Sequence, residues 1–315
     1  MTSKPDQCWV IHDGAAGNRR QAIALAEALG WDFKEKVIKA AGLSRWFAPR
    51  LLPLVKWPFG RAFSDAMQNQ PTYVIGCGRQ AALATRLMKL AGSVAIQILN
   101  PRLSSNHWDV VIAPSHDAVE GSNVIHCVGG LHEVNAISLD KWRSQTSVAT
   151  ALWPPRTLVL IGGPSRMALF NEGLIEVMFS QLEYELATHG SSLIICGSRR
   201  TPKDTAEKIR QRFSGSNFPV WFDDSDGDNI YHSALAHADR IILTPDSVNM
   251  ISEACATELP VFIAQPERAI GRMKIFLEHL LGIGRIKPLS RELKGFPVIP
   301  LRTMPDVIKQ LENFL

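Results

Sequence analysis

Apolar positions in this chain fall into short unbroken runs that alternate with longer stretches of helical spacing, the order expected of an α/β protein. Cys8–His12 reads as a buried strand, runs into Asp13-Gly-Ala-Ala-Gly-Asn18, and leads to an amphipathic helix from about Arg19 to Leu29. Phe33–Ile38, Thr72–Ile75, Val94–Leu99, Asp109–Ala113 and Asn123–Val128 continue the strands. Gly129–Pro155 has little pattern and ends in Trp153-Pro-Pro155, which predicts a connection between domains. The same order then restarts: strand Thr157–Ile161, loop Gly162–Ser165, helix Phe170–Thr188, strand Ser192–Cys196, a helix to Phe213, strand Val220–Phe222 and a helix to His237. Asp239–Leu243 and Val261–Ala264 are the last predicted strands, followed by helices ending near Leu281 and Leu315. The expected fold is two Rossmann-like parallel-sheet domains, 1–150 and 151–315, facing across a cleft, with a C-terminal helix over 305–315 that can pack back on the first.

Composition adds bounds. Of 315 residues, 46% are hydrophobic and 20% charged, as in soluble globular proteins. A net charge of +4 suits an anionic ligand or membrane surface without demanding either. Five scattered cysteines, each in or beside an apolar run, predict buried free thiols in a reducing cytosol. The start, MTSKPDQ, lacks a signal-peptide core, and no run reaches the ~20 apolar residues of a membrane span. A cytoplasmic location is expected, with peripheral contact on the inner face of the membrane through 42–63. That stretch sets Trp46, Phe47, Trp57 and Phe59 among Arg45, Arg50, Lys56 and Arg61, with no acid. It reads either as a face for anionic lipid or as an insertion with inward aromatics and solvated cations.

Candidate chemistry centres on Thr244–Pro260. Asp246 or Ser247 can cap a helix on which Val248, Ile251 and Cys255 pack inward, leaving Ser247, Met250 and Glu253 near the strand ends. A helix start there offers N–H groups to phosphate, and Glu253 can accept two ribose hydroxyls. Gly162, Gly163, Pro164 and Ser165 with Ser198, Arg199 and Arg200 form a candidate diphosphate clamp; the plain alternative for the arginines is a salt-bridged helix start. Gly14, Gly17 and Asn18 can bring backbone close to a phosphate or sugar. The candidate base is Asp13 or, beside Asp117, His116. Their plain readings are an Asx turn and a loop histidine bonded to backbone.

Other motifs exclude more than they offer. Gly76-Cys-Gly78-Arg-Gln-Ala81 is formally a dinucleotide fingerprint, but no acid occurs between Asp65 and Asp109 to hold a ribose. No tyrosine has a lysine four residues on, which argues against a nicotinamide enzyme. Asp223, Asp224, Asp226 and Asp228 include D-x-D spacings; the preferred reading is a solvated turn with Asp228 as helix N-cap, so no metal or added cofactor is expected. Neither a Walker loop nor a basic-aromatic stripe is present, so nucleic acid is not an expected partner.

The blocks HDGAAGNRRQ, IQILNPR, APSHD, NVIHCVGGLHEVN, IGGPSR, GSRRTP, DGDNIYHSALAHAD and TPDSVNMISEACATELPV together resemble the family of the plant "elongated mitochondria" fission protein and its bacterial relatives. That family looks like the two-domain glycosyltransferases of the B-type fold. The resemblance implies a UDP-, GDP- or CMP-linked sugar held mainly by the C-terminal domain, with Glu253 at the position of the ribose-binding acid. It implies a metal-independent transfer to a membrane-associated glycan or lipid. Its alternatives are a non-catalytic membrane-associated fission-type factor and a nucleotide-sugar epimerase.

Overall fold

The computed structural model describes residues 8–39, 48–50, 59, 63, 70–145 and 148–315. The membrane-contact expectation for 42–63 therefore lies outside the described residues, except at 48–50, Phe59 and Phe63. Those two phenylalanines meet edge to face at 5.0 Å and pack on the core.

The first unit contains β1 (Cys8–His12), α1 (Ala16–Ala28), β2 (Phe33–Val37), β3 (Tyr73–Cys77), α2 (Arg79–Leu90), β4 (Val94–Ile98), β5 (Val110–Pro114) and β6 (Val124–Cys127). Its six strands are parallel, in the order β2-β1-β3-β4-β5-β6. Parallel strands need both faces covered, which is why Cys8–Ile11 of β1 is apolar without interruption. Side-chain alternation sends Cys8 and Val10 to one core with Ala22 and Leu25 of α1. Trp9 and Ile11 go to the opposite core with Ala81, Ala84 and Met88 of α2.

The second unit begins with α3 (Ala136–Arg143) and continues through β7 (Arg156–Ile161), α4 (Glu172–His189), β8 (Ser192–Gly197), α5 (Lys203–Phe213), β9 (Val220–Trp221), α6 (Tyr231–His237), β10 (Arg240–Leu243), α7 (Val248–Cys255), β11 (Val261–Ile263), α8 (Arg272–Gly282) and β12 (Ile286–Pro288). Its parallel sheet runs β12-β11-β10-β7-β8-β9. Val159, Ile161, Leu193 and Ile195 pack there on Leu174, Met178 and Phe179 of α4 and Ile209 of α5. Each such side chain contributes about 1.5–3 kcal/mol by leaving water.

The chain divides between Glu133 and Val134, not at 150, and returns at Arg302. The expected patternless linker holds α3, whose Asn135 and Ser138 form a capping box. Trp142 of α3 stacks on His232 at 4.3 Å, and Arg143 Nε donates to Ala236 O at 3.0 Å, so this helix belongs to the second unit. The last helix, α9 (Thr303–Leu311), adds Met304, Val307 and Leu311 to the first unit's core.

Strand order reverses between β1 and β3 in one sheet and between β7 and β10 in the other. Loops at such a switch point part to opposite faces and leave a crevice at the carboxyl edge, the usual ligand position in open α/β sheets.

Candidate functional site

In the second unit the loops after β10, β7 and β8 are neighbours, and Asp246 sits where they meet, with no exposure to solvent. Its Oδ2 accepts the Gly163 N–H at 2.9 Å and Arg200 Nη2 at 2.7 Å. Its Oδ1 accepts the Thr244 hydroxyl at 2.7 Å, and Thr244 Oγ1 in turn accepts the Gly162 N–H at 2.8 Å. Ser198 N–H donates to Thr201 Oγ1 at 2.9 Å, whose hydroxyl reaches Gly162 O at 2.6 Å. The glycines are required by this closeness. A Cβ on Gly162 would lie 2.0 Å from the Asp246 carboxylate, and one on Gly163 would lie 2.0 Å from the Arg200 carbonyl oxygen.

This arrangement redistributes the expected clamp. The Gly163 N–H and the Arg200 guanidinium already serve an internal anion, and Arg200 Nη1 also donates to Gly163 O at 3.0 Å. Ser198 Oγ accepts the Arg200 N–H at 3.2 Å, and Ser165 Oγ the Met167 N–H at 3.0 Å, while Pro164 is exposed. Arg199 is exposed, and among the described residues its guanidinium has no partner. Asp246 is not the cap of α7. Ser247 is, accepting from Met250 N–H at 3.5 Å.

Helix α7 buries more than its spacing predicts. Ile251 and Cys255 are fully enclosed, but Met250 and Glu253 are also only 7% and 6% exposed. The Tyr231 hydroxyl donates to Glu253 Oε2, so the carboxylate is enclosed yet held. At the other end of α7, the buried Arg285 guanidinium donates to the carbonyls of Ala254, Cys255, Thr257 and Leu259 at 2.8–3.1 Å. Tyr231 and Arg285 had no functional signal in the sequence, because their partners lie far along the chain or are backbone atoms.

In the first unit, α1 starts at Ala16, so Gly17 and Asn18 occupy its first turn and not a loop. Asp13 Oδ1 accepts the Ala15 N–H and Asn18 Nδ2, each at 3.1 Å, which is the Asx turn with one added bond. The Gly14 N–H donates to Nδ1 of buried His12 at 3.1 Å, which makes Nε2 the protonated nitrogen that meets Glu35 Oε1 at 2.8 Å. Arg19 forks onto the same carboxylate at 2.7 and 2.8 Å and, with His12, pulls the Glu35 pKa down to about 2. Asn18 lies against Gly78, where a φ of +90° disfavours any side chain and an added Cβ would lie 2.4 Å from Asn18 Nδ2. His116 follows β5 on a single 3-10 turn, 4.0 Å from Asp117 Oδ1. Three strand spacings, about 14 Å, separate the ends of β1 and β5. The two base candidates are therefore not brought together, and Asp13 alone stands at the switch point.

The acidic turn is occupied by protein. Arg210 forks onto Asp226 at 2.7 Å and holds it below the usual carboxylate range, while the Ser225 hydroxyl and N–H take Asp223 to about 2. Asp228 is not the cap of α6; Asn229 Oδ1 accepts the Tyr231 N–H at 2.9 Å instead. Among the described residues, no three His, Cys, Asp or Glu side chains gather as metal ligands.

A family model described as Mitochondrial fission ELM1 matches residues 16–315. The chain belongs to the mitochondrial fission ELM1 family. Mitochondrial fission protein ELM1 of Arabidopsis thaliana is 29% identical over 256 residues, 73% of this chain and 58% of that protein. The chain thus spans less than two thirds of that relative's length. MurG of Acinetobacter baumannii superposes with a TM-score of 0.53 at 14% identity, over 98% of this chain and 91% of that one. UDP-GlcNAc 2-epimerase of Neisseria meningitidis, solved with UDP-GlcNAc, gives 0.54 at 15% identity over 98% and 100%. At such identities the likeness is one of fold, and this ELM1-family chain has the two-sheet α/β architecture of the glycosyltransferase B-type fold. No described helix is long and apolar enough to cross a membrane.

Proposed function

We propose that the second unit binds a nucleotide sugar at the carboxyl edge of its sheet and that the protein transfers the sugar without a metal. The reading rests chiefly on Glu253, a carboxylate 6% exposed on the helix that leaves the switch point, held by Tyr231 in a fold shared with a UDP-GlcNAc-bound epimerase. An enclosed carboxylate is costly unless hydrogen bonds compensate it, and ribose hydroxyls are donors of the right kind. The diphosphate would sit at the start of α7 beside Ser247 and Met250, where N–H groups and the helix dipole favour anions. Arg199 would supply the guanidinium, because Arg200 is engaged by Asp246. Asp13, at the first unit's switch point, is the favoured base for the acceptor hydroxyl, with His116 as its competitor. The acceptor class is a membrane-associated glycan or lipid.

Thermal unfolding with UDP, GDP, CMP and their sugars tests the donor site. One nucleotide at a hundredfold excess over its Kd should raise Tm by about 5–10 °C. In Glu253→Gln, which keeps an acceptor for Tyr231, the rise should disappear. No response to any nucleotide overturns the reading and favours the non-catalytic factor. The likeness to the epimerase supports epimerisation as the second reading. Proton NMR of a stabilising UDP-sugar incubated without acceptor separates them: a new sugar epimer defeats transfer.

A further inference from the structure

Two loops of the second unit, 165–171 after β7 and 265–271 after β11, are joined by an isolated antiparallel bridge between Ala168 and Ala269. The Leu169 N–H donates to Arg268 O at 3.0 Å, and the Ile270 N–H to Met167 O at 2.8 Å. Successive side chains in a bridged pair alternate sides. Ala168 and Ala269, 3% and 2% exposed, take the inner side, so Met167, Leu169, Arg268 and Ile270 share the outer one. Leu169 and Ile270 are diagonal neighbours, roughly 7–8 Å apart. They are 60% and 45% exposed, and Ile275 in the first turn of α8 is 54% exposed. Isolated exposed aliphatics are ordinary, but two on one hydrogen-bonded face form a patch, and a third follows five residues on at the start of α8.

Charge identifies what this patch fits. Across 165–171 and 265–275 stand Arg166, Arg268, Arg272 and Lys274, with Glu267 as the sole acid. These short segments thus carry three quarters of a net charge that is only +4 for the whole chain. Arg166, Arg272 and Lys274 are exposed; Lys274 also meets Glu278, one turn on, at 3.8 Å, and Arg166 has no partner among the described residues. Protein hot spots are built on aromatic anchors seated in pockets, whereas the ring here, Phe170, packs into the core. Aliphatic side chains among cations match a lipid interface: the cations meet anionic headgroups and the aliphatics reach the acyl boundary.

We propose that the bridged face of Leu169 and Ile270, together with Ile275 at the start of α8 and the cations Arg166, Arg272 and Lys274, docks on an anionic lipid bilayer. The proposal does not depend on the nucleotide-sugar reading and assigns lipid contact to residues other than 42–63. Full-length protein is floated with vesicles of phosphatidylcholine alone or mixed with phosphatidylglycerol. Binding should be confined to the anionic vesicles and weaken with salt. Each cation removed near such a surface costs roughly fivefold in partitioning. Arg166→Glu with Arg272→Glu should therefore lower binding at least about 25-fold. Leu169→Asp, at an exposed position, should lower it about tenfold on loss of its apolar anchor and gain of a repelled charge. Circular dichroism and Tm should stay at wild-type values in both variants. Wild type that ignores anionic vesicles overturns the proposal. Binding that survives both variants belongs elsewhere on the chain and overturns it equally. If light scattering shows a wild-type dimer that Leu169→Asp dissociates, a second copy covers the face and lipid docking fails.

Discussion

Asp246 puts one of the chain's own carboxylates where the glycine loop and Arg200 converge, so three loops are locked by an anion that cannot dissociate. The contact that makes Gly162 obligatory is with that same carboxylate, so the two positions must couple. Gly162→Ala alone should cost about 3 kcal/mol or more, because a buried, bonded group must give way. Asp246→Ala alone should cost about 2–3 kcal/mol, chiefly by leaving the Gly163 N–H and Thr244 hydroxyl unpaired. Urea unfolding of the double variant should show a cost below the sum by 1 kcal/mol or more; additive costs would show that the contact is unimportant. Glu35 makes a second residue-level claim. Its folded pKa, about 2, lies below the unfolded carboxylate value, so its stabilisation is present at neutral pH and lost as pH falls towards that value. The Tm difference between wild type and Glu35→Gln should be constant above about pH 5 and vanish near pH 2; a difference independent of pH would contradict it. Neither role was legible in the sequence. Asp246 was visible as a possible cap and nucleotide-binding position but not as a lock, because Gly163 is 83 positions away and Arg200 is 46.

Helix α7 is the element through which these residues reach the candidate site, and both its ends are fixed. Ser247 caps its start, and the Arg285 guanidinium, 2% exposed, satisfies four carbonyls at and after its end. Burial pushes the Arg285 pKa down, but an arginine starts so high that it stays charged. Its charge faces the negative end of the helix. Arg285→Met keeps volume but strands those carbonyls, at a cost of about 3–5 kcal/mol. Amide exchange should quicken first in 252–259; unchanged protection there would reduce Arg285 to filler. Core burial also silences the thiols. Cys8, Cys127, Cys196 and Cys255 are enclosed thiols pushed up to about 12, and Cys77 is raised further by burial and the nearby Asp13. Ellman's reagent should find none of them in the native protein at pH 8 and all five in guanidinium; a fast native thiol would contradict this. Most elements were legible because continuous apolar runs mark strands covered on both faces. Helix α3 was not, since only Trp142 of its eight residues is buried and no periodicity can show. Strand β12 was missed because three residues at a sheet edge, Ile286–Pro288, leave no pattern.

At the scale of the molecule, the chain order of the two halves and the return of the last helix to the first were readable, but the boundary before Val134 was not, because the membership of α3 depends on contacts with distant segments. Val134–Leu301 is one continuous unit, while the other needs both Met1–Glu133 and Arg302–Leu315. The closing segment is held to its unit by Thr303, whose hydroxyl donates to Val128 O at 2.9 Å, and by Met304, Val307 and Leu311. Three such side chains leaving water contribute about 5–8 kcal/mol, which is comparable to the whole stability of an ordinary domain. A chain ending at Leu301 should therefore lose the first unit while keeping the second. The second unit's core draws on α4, α5 and its own sheet and contains nothing from α9. Calorimetry should show one of two transitions collapse, and trypsin should leave a resistant fragment near 134–301. A peptide of 302–315 added in trans should restore the lost transition, which a general destabilisation would not allow. If the truncated chain instead unfolds as the intact one does, α9 is an appendage. If both transitions fall together, the units are not independent folding bodies. Loss confined to the first unit would also separate the proposed roles: nucleotide-dependent stabilisation should persist in the remaining fragment, because Ser247, Arg199 and Glu253 all lie within it.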